Sequence, residues 1–288
     1  MDYRQLGNSE LTVSAVGLGC VTFGREIGRE DAFAVLDHAA SCGITLLDTA
    51  AAYGGGASEA LLGDWLQERH CRDRFVVATK VGAPLSRARI LASADESLRR
   101  LRTDRIDLFQ LHAWNDGIPL EETIGALDFL VRSGKVRCIG CSNFSAEQLR
   151  RALELQRGLA ARMESVQPIY NLVHRDIEEE LLPFCAENRV GVITYSPLGA
   201  GFLAGKYRPD QAVPAGTRFD VIPGHRDLYF SPRGFEIAET LRREAAAVGR
   251  TPVALALEWV FRQPGPTSVL IGARSPRHID QALDARRV

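Results

Sequence analysis

Four residues of the 288-residue chain carry side chains suited to moving a proton: Asp48, Tyr53, Lys80 and His112. Asp48 and Tyr53 lie in LLDTAAAYGGGASEALLG, where an aspartate closes an apolar segment and a tyrosine precedes Gly54, Gly55 and Gly56. Lys80 closes FVVATK, and His112 closes IDLFQLH. A free tyrosine has a pKa near 10, too high for easy proton exchange at neutral pH. A lysine ammonium about 4 Å away stabilises the phenolate by roughly 4 kcal/mol at an effective dielectric of about 20. Lys80 beside Tyr53 is therefore expected to lower the tyrosine pKa, with burial opposing. A buried lysine tends to lose its proton, and a paired Asp48 would keep it charged. His112 can donate a hydrogen bond to a substrate oxygen and orient it. A proton donor beside an oxyanion stabiliser suits carbonyl reduction once something supplies hydride. The plainer reading of the same stretch is a strand, a turn and a helix capped by Ser58, with Glu59 in its first turn.

The choice depends on what positions the four. Short apolar, β-branched segments recur at 15–20, 44–49, 75–80, 106–112, 136–142, 163–168, 190–196 and 267–272. Amphipathic stretches at 29–43, 121–135 and 176–189 lie between them, with apolar residues at helical spacing. Strand starts repeat roughly every 30 residues, the length of a βαβ unit. Eight units in a chain of this size predict a (β/α)8 TIM barrel, one domain over residues 1–288. The opening YRQLGNSELTVS reads as a β-hairpin closing the barrel bottom, with Asn8 in its turn. Asp48, Lys80 and His112 then end three consecutive strands at the C-terminal face, where barrels keep their chemistry. The long stretch between Ser196 and Phe235 departs from the regular spacing. Loops of that length are uncommon unless they carry function or are disordered, and this one leaves the same face.

Composition narrows the alternatives. A formal net charge of −1 argues against a nucleic-acid partner. MDYRQLGNSE is no secretory signal and no apolar run is long enough to span a bilayer, so a cytoplasmic setting is expected. Six cysteines are too few for a disulfide scaffold in a chain of this length. Cys138 and Cys141 form a CxxC, but in a strand residues three apart point to opposite faces. The six histidines show no HxH or HExxH spacing, which speaks against a metal-dependent hydrolase, and no metal is expected. Gly17-x-Gly19 lacks the third glycine of a dinucleotide fingerprint.

The residues resemble the aldo-keto reductases over nearly the whole chain. The motifs are DTAAAYGGGASEALLG, ATKVG, SLRRLRTDRIDLFQLH, SGKVRCIGCSNFS, VQPIYNLVHR and TYSPLGAGFLAGKY, in that order. The resemblance implies reduction of an aldehyde or ketone by NADPH, with NADH possible. It casts Tyr53 as general acid, Lys80 and Asp48 as the groups that tune it, and His112 as the group orienting the carbonyl. It also implies that Ser142, Asn143 and Gln167 hold the nicotinamide carboxamide and that Tyr195 stacks on the ring. Ser142–Asn143 also reads as a helix cap before SAEQLRRALEL, a role compatible with the cofactor one. Ser196, Pro197, Leu198, Gly199, Gly201, Leu203 and Lys206 match the loop around the pyrophosphate. Gly19, Cys20 and Val21 match the first strand end beside cofactor and substrate, with Asp48 also near the cofactor. Gly272, Arg274, Ser275 and His278 fall where similar reductases meet the 2′-phosphate. His278 departs from their usual Gln or Arg, and Gln281 and Ala282 stand in place of a Glu-Asn pair that grips adenine. Val21, Phe23, Trp114, Tyr229 and Phe230 are candidates to line a substrate pocket, and the short VGAPLSRAR loop would leave it open on one side. A cofactor-binding regulatory subunit of the same fold, with little turnover, is the competing reading. No feature points to an obligatory protein partner.

Overall fold

The computed structural model describes residues 1–287. Strands β1 (Tyr3–Gln5) and β2 (Thr12–Ser14) form an antiparallel hairpin. The eight strands that follow are β3 (Val16–Gly19), β4 (Leu46–Asp48), β5 (Val76–Val81), β6 (Ile106–Leu111), β7 (Val136–Ser142), β8 (Met163–Gln167), β9 (Gly191–Thr194) and β10 (Ser268–Gly272). They pair in parallel and in sequence order, and β10 closes the barrel against β3. Helices follow the strands around the outside, as expected of a (β/α)8 barrel.

Side-chain alternation builds two cores from these strands. Leu46, Val76, Ala78, Leu108, Ile193 and Leu270 point inward. Leu6, Leu11 and Val13 of the hairpin pack against them and plug the bottom. Leu18, Leu47, Val77, Phe109, Ile139, Val166 and Val192 point outward into the layer beneath the helices. Cys138 contacts the inner cluster while Cys141 lies in the outer one, and both are free thiols. No described helix is long and apolar enough to cross a membrane.

Two expectations change in the helix layer. Residues 176–189 do not make one helix: a 3₁₀ turn at Asp176–Glu178 precedes a short helix at Leu181–Glu187. Ser145, not Ser142 or Asn143, caps helix Ala146–Leu155, in a capping box with Gln148. The long stretch after β9 folds on itself through turns at Gly199–Ala204 and Pro223–Leu228 and a short helix at Arg218–Val221. Phe202, Tyr207, Phe219, Tyr229 and Phe230 stack into a small aromatic core that holds it over the barrel mouth.

Candidate active site

Period-two alternation carries the inward face of each strand up to its C-terminal end. Above Leu46 stands Asp48, above Ala78 stands Lys80, above Leu108 stands Gln110, and above Ser165 stands Gln167. Lys80 Nζ lies 2.5 Å from Asp48 Oδ2 and donates to Thr49 O at 2.9 Å. The remaining oxygen of Asp48 accepts from Gln167 Nε2 at 2.8 Å and Gln110 Nε2 at 3.2 Å. Both ions are almost fully buried. A buried pair is sustained only when its other polar atoms are also satisfied, and here they are.

Tyr53 reaches this pair from the loop above. Its backbone N–H bonds Ala50 O at 3.0 Å, and a turn over Tyr53–Gly56 leads into helix Ala57–Glu68. Gly56 begins that helix at φ 95, and a Cβ there would meet Arg100 Cδ at 2.7 Å, so only glycine fits. Ser58 is not the cap. Its buried hydroxyl donates to Cys20 O at 2.8 Å and pairs with Thr49, tying three loops together. Glu59 is buried too, held by Thr79 and Arg100. Tyr53 Oη ends 3.4 Å from Lys80 Nζ. The His112 ring packs edge-on against Tyr53, their centroids 5.9 Å apart.

Electrostatics corrects one expectation. The Tyr53 pKa is raised, not lowered: burial outweighs the Lys80 ammonium, and Asp48 adds to the rise. Asp48 sits closer to that ammonium than the phenol does, which cancels much of its field. Burial pulls the Lys80 pKa down, but the Asp48 charge and the Tyr53 contact bring the net change upward, so Lys80 stays charged. Burial, then Lys80, lowers the His112 pKa to about 4, leaving a neutral imidazole at pH 7.

That shift has a consequence for stability. Below pH about 6.5 the unfolded chain protonates this histidine while the folded chain does not until about 4. Stability is therefore lost as pH falls through that window. A His112→Gln variant is expected to lose less stability than wild type between pH 7 and 5 in urea unfolding. Parallel losses in the two proteins would show that His112 titrates normally.

Tyr53 and His112 open into a cavity of about 690 Å³. Its wall includes Gly19, Val21, Asp48, Ser142, Asn143, Gln167, Tyr195, Ser196, Pro197, Leu198, Gly201, Lys206, Gly272, Arg274, His278 and Tyr229 among the residues singled out from sequence. Cys20, Gly199 and Leu203 are buried behind that wall, and Ser275 supports it through His278, 3.1 Å away. Phe23 is fully buried in the packing layer, and Phe230 belongs to the aromatic core. Trp114 packs edge-on against Phe144 and donates to Asp116 at 2.6 Å, away from the cavity wall. Gln281 and Ala282 do line it. A smaller recess of about 190 Å³, around Arg137 and Glu164, contains none of these residues.

Some contributors were missed. Gln110 shares the inward face of β6 with Leu108, and a polar residue at that position in LFQLH is a signal of its role. His112 follows two residues on, just past the strand end, where its backbone N–H donates to Val81 O at 2.9 Å. Arg25, Glu26 and Arg218 also line the cavity, and Arg218 bonds Glu26 at 2.7 Å across the mouth. Nothing in the sequence pairs residues so far apart.

A sequence profile described as the aldo/keto reductase family matches residues 15–288. The chain belongs to the aldo/keto reductase family. Aldo-keto reductase YhdN of Bacillus subtilis (strain 168) is 33% identical, over 97% of this chain and 87% of that protein. Probable aldo-keto reductase 1 of Glycine max is 33% identical, over 99% and 84%. Protein tas of Escherichia coli (strain K12) is 33% identical, over 95% and 89%. As a member of this family the protein is an NAD(P)H-dependent oxidoreductase acting on carbonyl compounds.

The donor set of this aldo/keto reductase fits a phosphorylated cofactor. Partial burial and the neighbouring Arg274 guanidinium lower the Lys206 pKa, and neither cation has a carboxylate partner among the described residues. Two unneutralised cations on one cavity wall make an anion site. Gly201, beside Lys206, turns the chain at φ 89, a left-handed conformation that favours glycine. Ser142 Oγ donates to Gln167 O at 2.8 Å, and Asn143, at φ 58, accepts from Tyr195 Oη at 2.8 Å. These bonds, with Asn143 Nδ2 donating to His112 O at 3.0 Å, fix Ser142, Asn143 and Tyr195 on the cavity wall near Tyr53 and His112.

Proposed function

We propose that the protein reduces an aldehyde or ketone to the alcohol with NADPH, and that Tyr53 is the general acid. The observation that carries this reading is Tyr53 Oη at the cavity floor, 3.4 Å from a lysine that a buried aspartate keeps charged. Lys206 and Arg274 would hold phosphate groups, Ser142, Asn143 and Gln167 the carboxamide, and Tyr195 the face of the nicotinamide ring. The bound cofactor supplies hydride.

The protein's own residues do the rest. A carbonyl oxygen lying between Tyr53 and His112 receives a hydrogen bond from each, since neutral His112 keeps one N–H. As negative charge develops on that oxygen, Tyr53 releases its proton to it. The phenolate left behind faces the Lys80 ammonium, an attraction of roughly 5 kcal/mol at an effective dielectric of about 20. Thr49 O and Asp48 hold Lys80 in place throughout. The raised Tyr53 pKa keeps the phenol protonated at neutral pH, the state an acid needs.

NADPH oxidation followed over a panel of aldehydes, ketones and keto sugars tests this reading. Turnover with at least one class is expected. Tight NADPH binding with no turnover on any of them would favour the regulatory-subunit reading instead. Cofactor choice has its own test in Arg274→Ala. A charge-assisted hydrogen bond to the 2′-phosphate contributes about 1.5–3 kcal/mol, so NADPH affinity should fall roughly ten- to a hundredfold. NADH affinity, measured in the same titrations, should hardly change. Equal losses for both would assign Arg274 to some other part of the cofactor.

A further inference from the structure

We propose that His38, Cys42 and Asp280 form a binding site for a divalent transition-metal ion of the zinc type, separate from the reductase cavity. His38 lies near the end of helix Arg29–Ser41 and Cys42 caps it, four residues on. That spacing puts both side chains on one face. Asp280 comes from helix Pro276–Arg286, which packs alongside. His38 Nε2 stands 2.7 Å from Asp280 Oδ1 and 3.7 Å from Cys42 Sγ. All three ligand atoms lie within 4.8 Å of one another.

The geometry suits one ion. Zinc takes nitrogen and oxygen at about 2.0–2.2 Å and sulfur at about 2.3 Å in a tetrahedron, which sets its ligand atoms roughly 3.3–3.6 Å apart. The sulfur–nitrogen distance is already close to that. The nitrogen–oxygen distance must open by less than about 1 Å, and Asp280, more than half exposed, is free to turn. Imidazole, thiolate and carboxylate together favour zinc or cobalt over magnesium or calcium. Binding releases the Cys42 thiol proton to solvent and leaves a fourth position for water. None of the three residues lines the cavity, but His278 and Gln281, on the same helix as Asp280, do. An ion here would pin that stretch of cavity wall to the neighbouring helix. Without a metal the same contact is a surface His38–Asp280 hydrogen bond with Cys42 as a bystander.

Titration of the metal-free full-length protein with Co²⁺ distinguishes the two. The expected result is one Co²⁺ per chain, with a thiolate-to-cobalt charge-transfer band that Zn²⁺ abolishes by displacement. Cys42→Ser should remove the band and weaken Zn²⁺ binding by at least about tenfold, a loss of the size that even outer-shell substitutions cause at metal sites. Asp280→Asn should weaken binding while keeping the band. Both variants should retain NADPH-dependent turnover, which serves as the check on folding. No cobalt–thiolate band in the wild type, or a band that survives Cys42→Ser, overturns the proposal.

Discussion

Tyr53→Phe is expected to lower kcat by about 10²–10⁴-fold, the usual contribution of general acid catalysis, and to leave NADPH affinity near that of the wild type. The substitution removes one hydroxyl and keeps the ring, so the edge-on contact with His112 and the Gly54–Gly56 turn persist. The Lys206, Arg274, Asn143 and Tyr195 positions do not depend on that oxygen. The rival assignment makes His112 the acid and forecasts a mild Tyr53→Phe with a severe His112→Ala. Geometry and charge weigh against it. With a pKa near 4, His112 is neutral in the working range. Giving up its single N–H proton would leave an imidazolate, a far stronger base than a phenolate, whereas Tyr53 would leave a phenolate 3.4 Å from Lys80 Nζ. Single-turnover rates of the two variants, with NADPH titrations alongside, separate the assignments. A Tyr53→Phe protein that binds NADPH and keeps near-native turnover would remove Tyr53 from the chemistry.

Asp48→Asn is expected to act on both stability and rate. It leaves a fully buried ammonium without its counter-charge, and breaking a buried pair from one side costs about 3–5 kcal/mol. Urea unfolding at pH 7 measures that loss. The amide still fills the space and can accept one of the bonds from Gln110 or Gln167, so the variant should fold at low temperature. With Asp48 neutral, burial is the dominant influence on Lys80 and drives its pKa down. Lys80 then loses its charge at a lower pH than in the wild type, and reduction should fail on the alkaline side at that lower pH. Turnover should recover partly as the solution is made more acidic. A folded Asp48→Asn protein with an unaltered pH–rate profile would show that Asp48 does not control the Lys80 charge.

Much of the reductase site is written in strand periodicity. Inward alternation follows from the pleat, so Leu46 with Asp48, Ala78 with Lys80, and Leu108 with His112 can be aligned from residue order alone. Parallel pairing of neighbouring strands brings those ends to one face. For the same reason Cys138 and Cys141 were separable into different layers. The same alternation puts Gln110 on the inward face, two residues before His112.

Side chains beyond a strand end obey no such rule. Phe23, Trp114 and Phe230 sit close in sequence to the site, yet the loops carrying them turn their rings into packing against other elements. Ser58 occupies a good local position for a helix cap, but burial beneath Thr49 and Cys20 sets a different partner for its hydroxyl. The sign of the Tyr53 shift was likewise a tertiary matter, because it depends on distances of 2.5 and 3.4 Å around one ammonium and on how much water is excluded. The sequence alone determined the barrel, the order of the strand ends that carry Asp48, Lys80 and His112, and the family to which the chain belongs, since those follow from local periodicity and motif order. Only the folded chain decided which aromatic rings face the cavity, how the Asp48–Lys80–Tyr53 charges balance, and that His38 and Cys42 meet Asp280, since each depends on contacts between residues far apart in the chain.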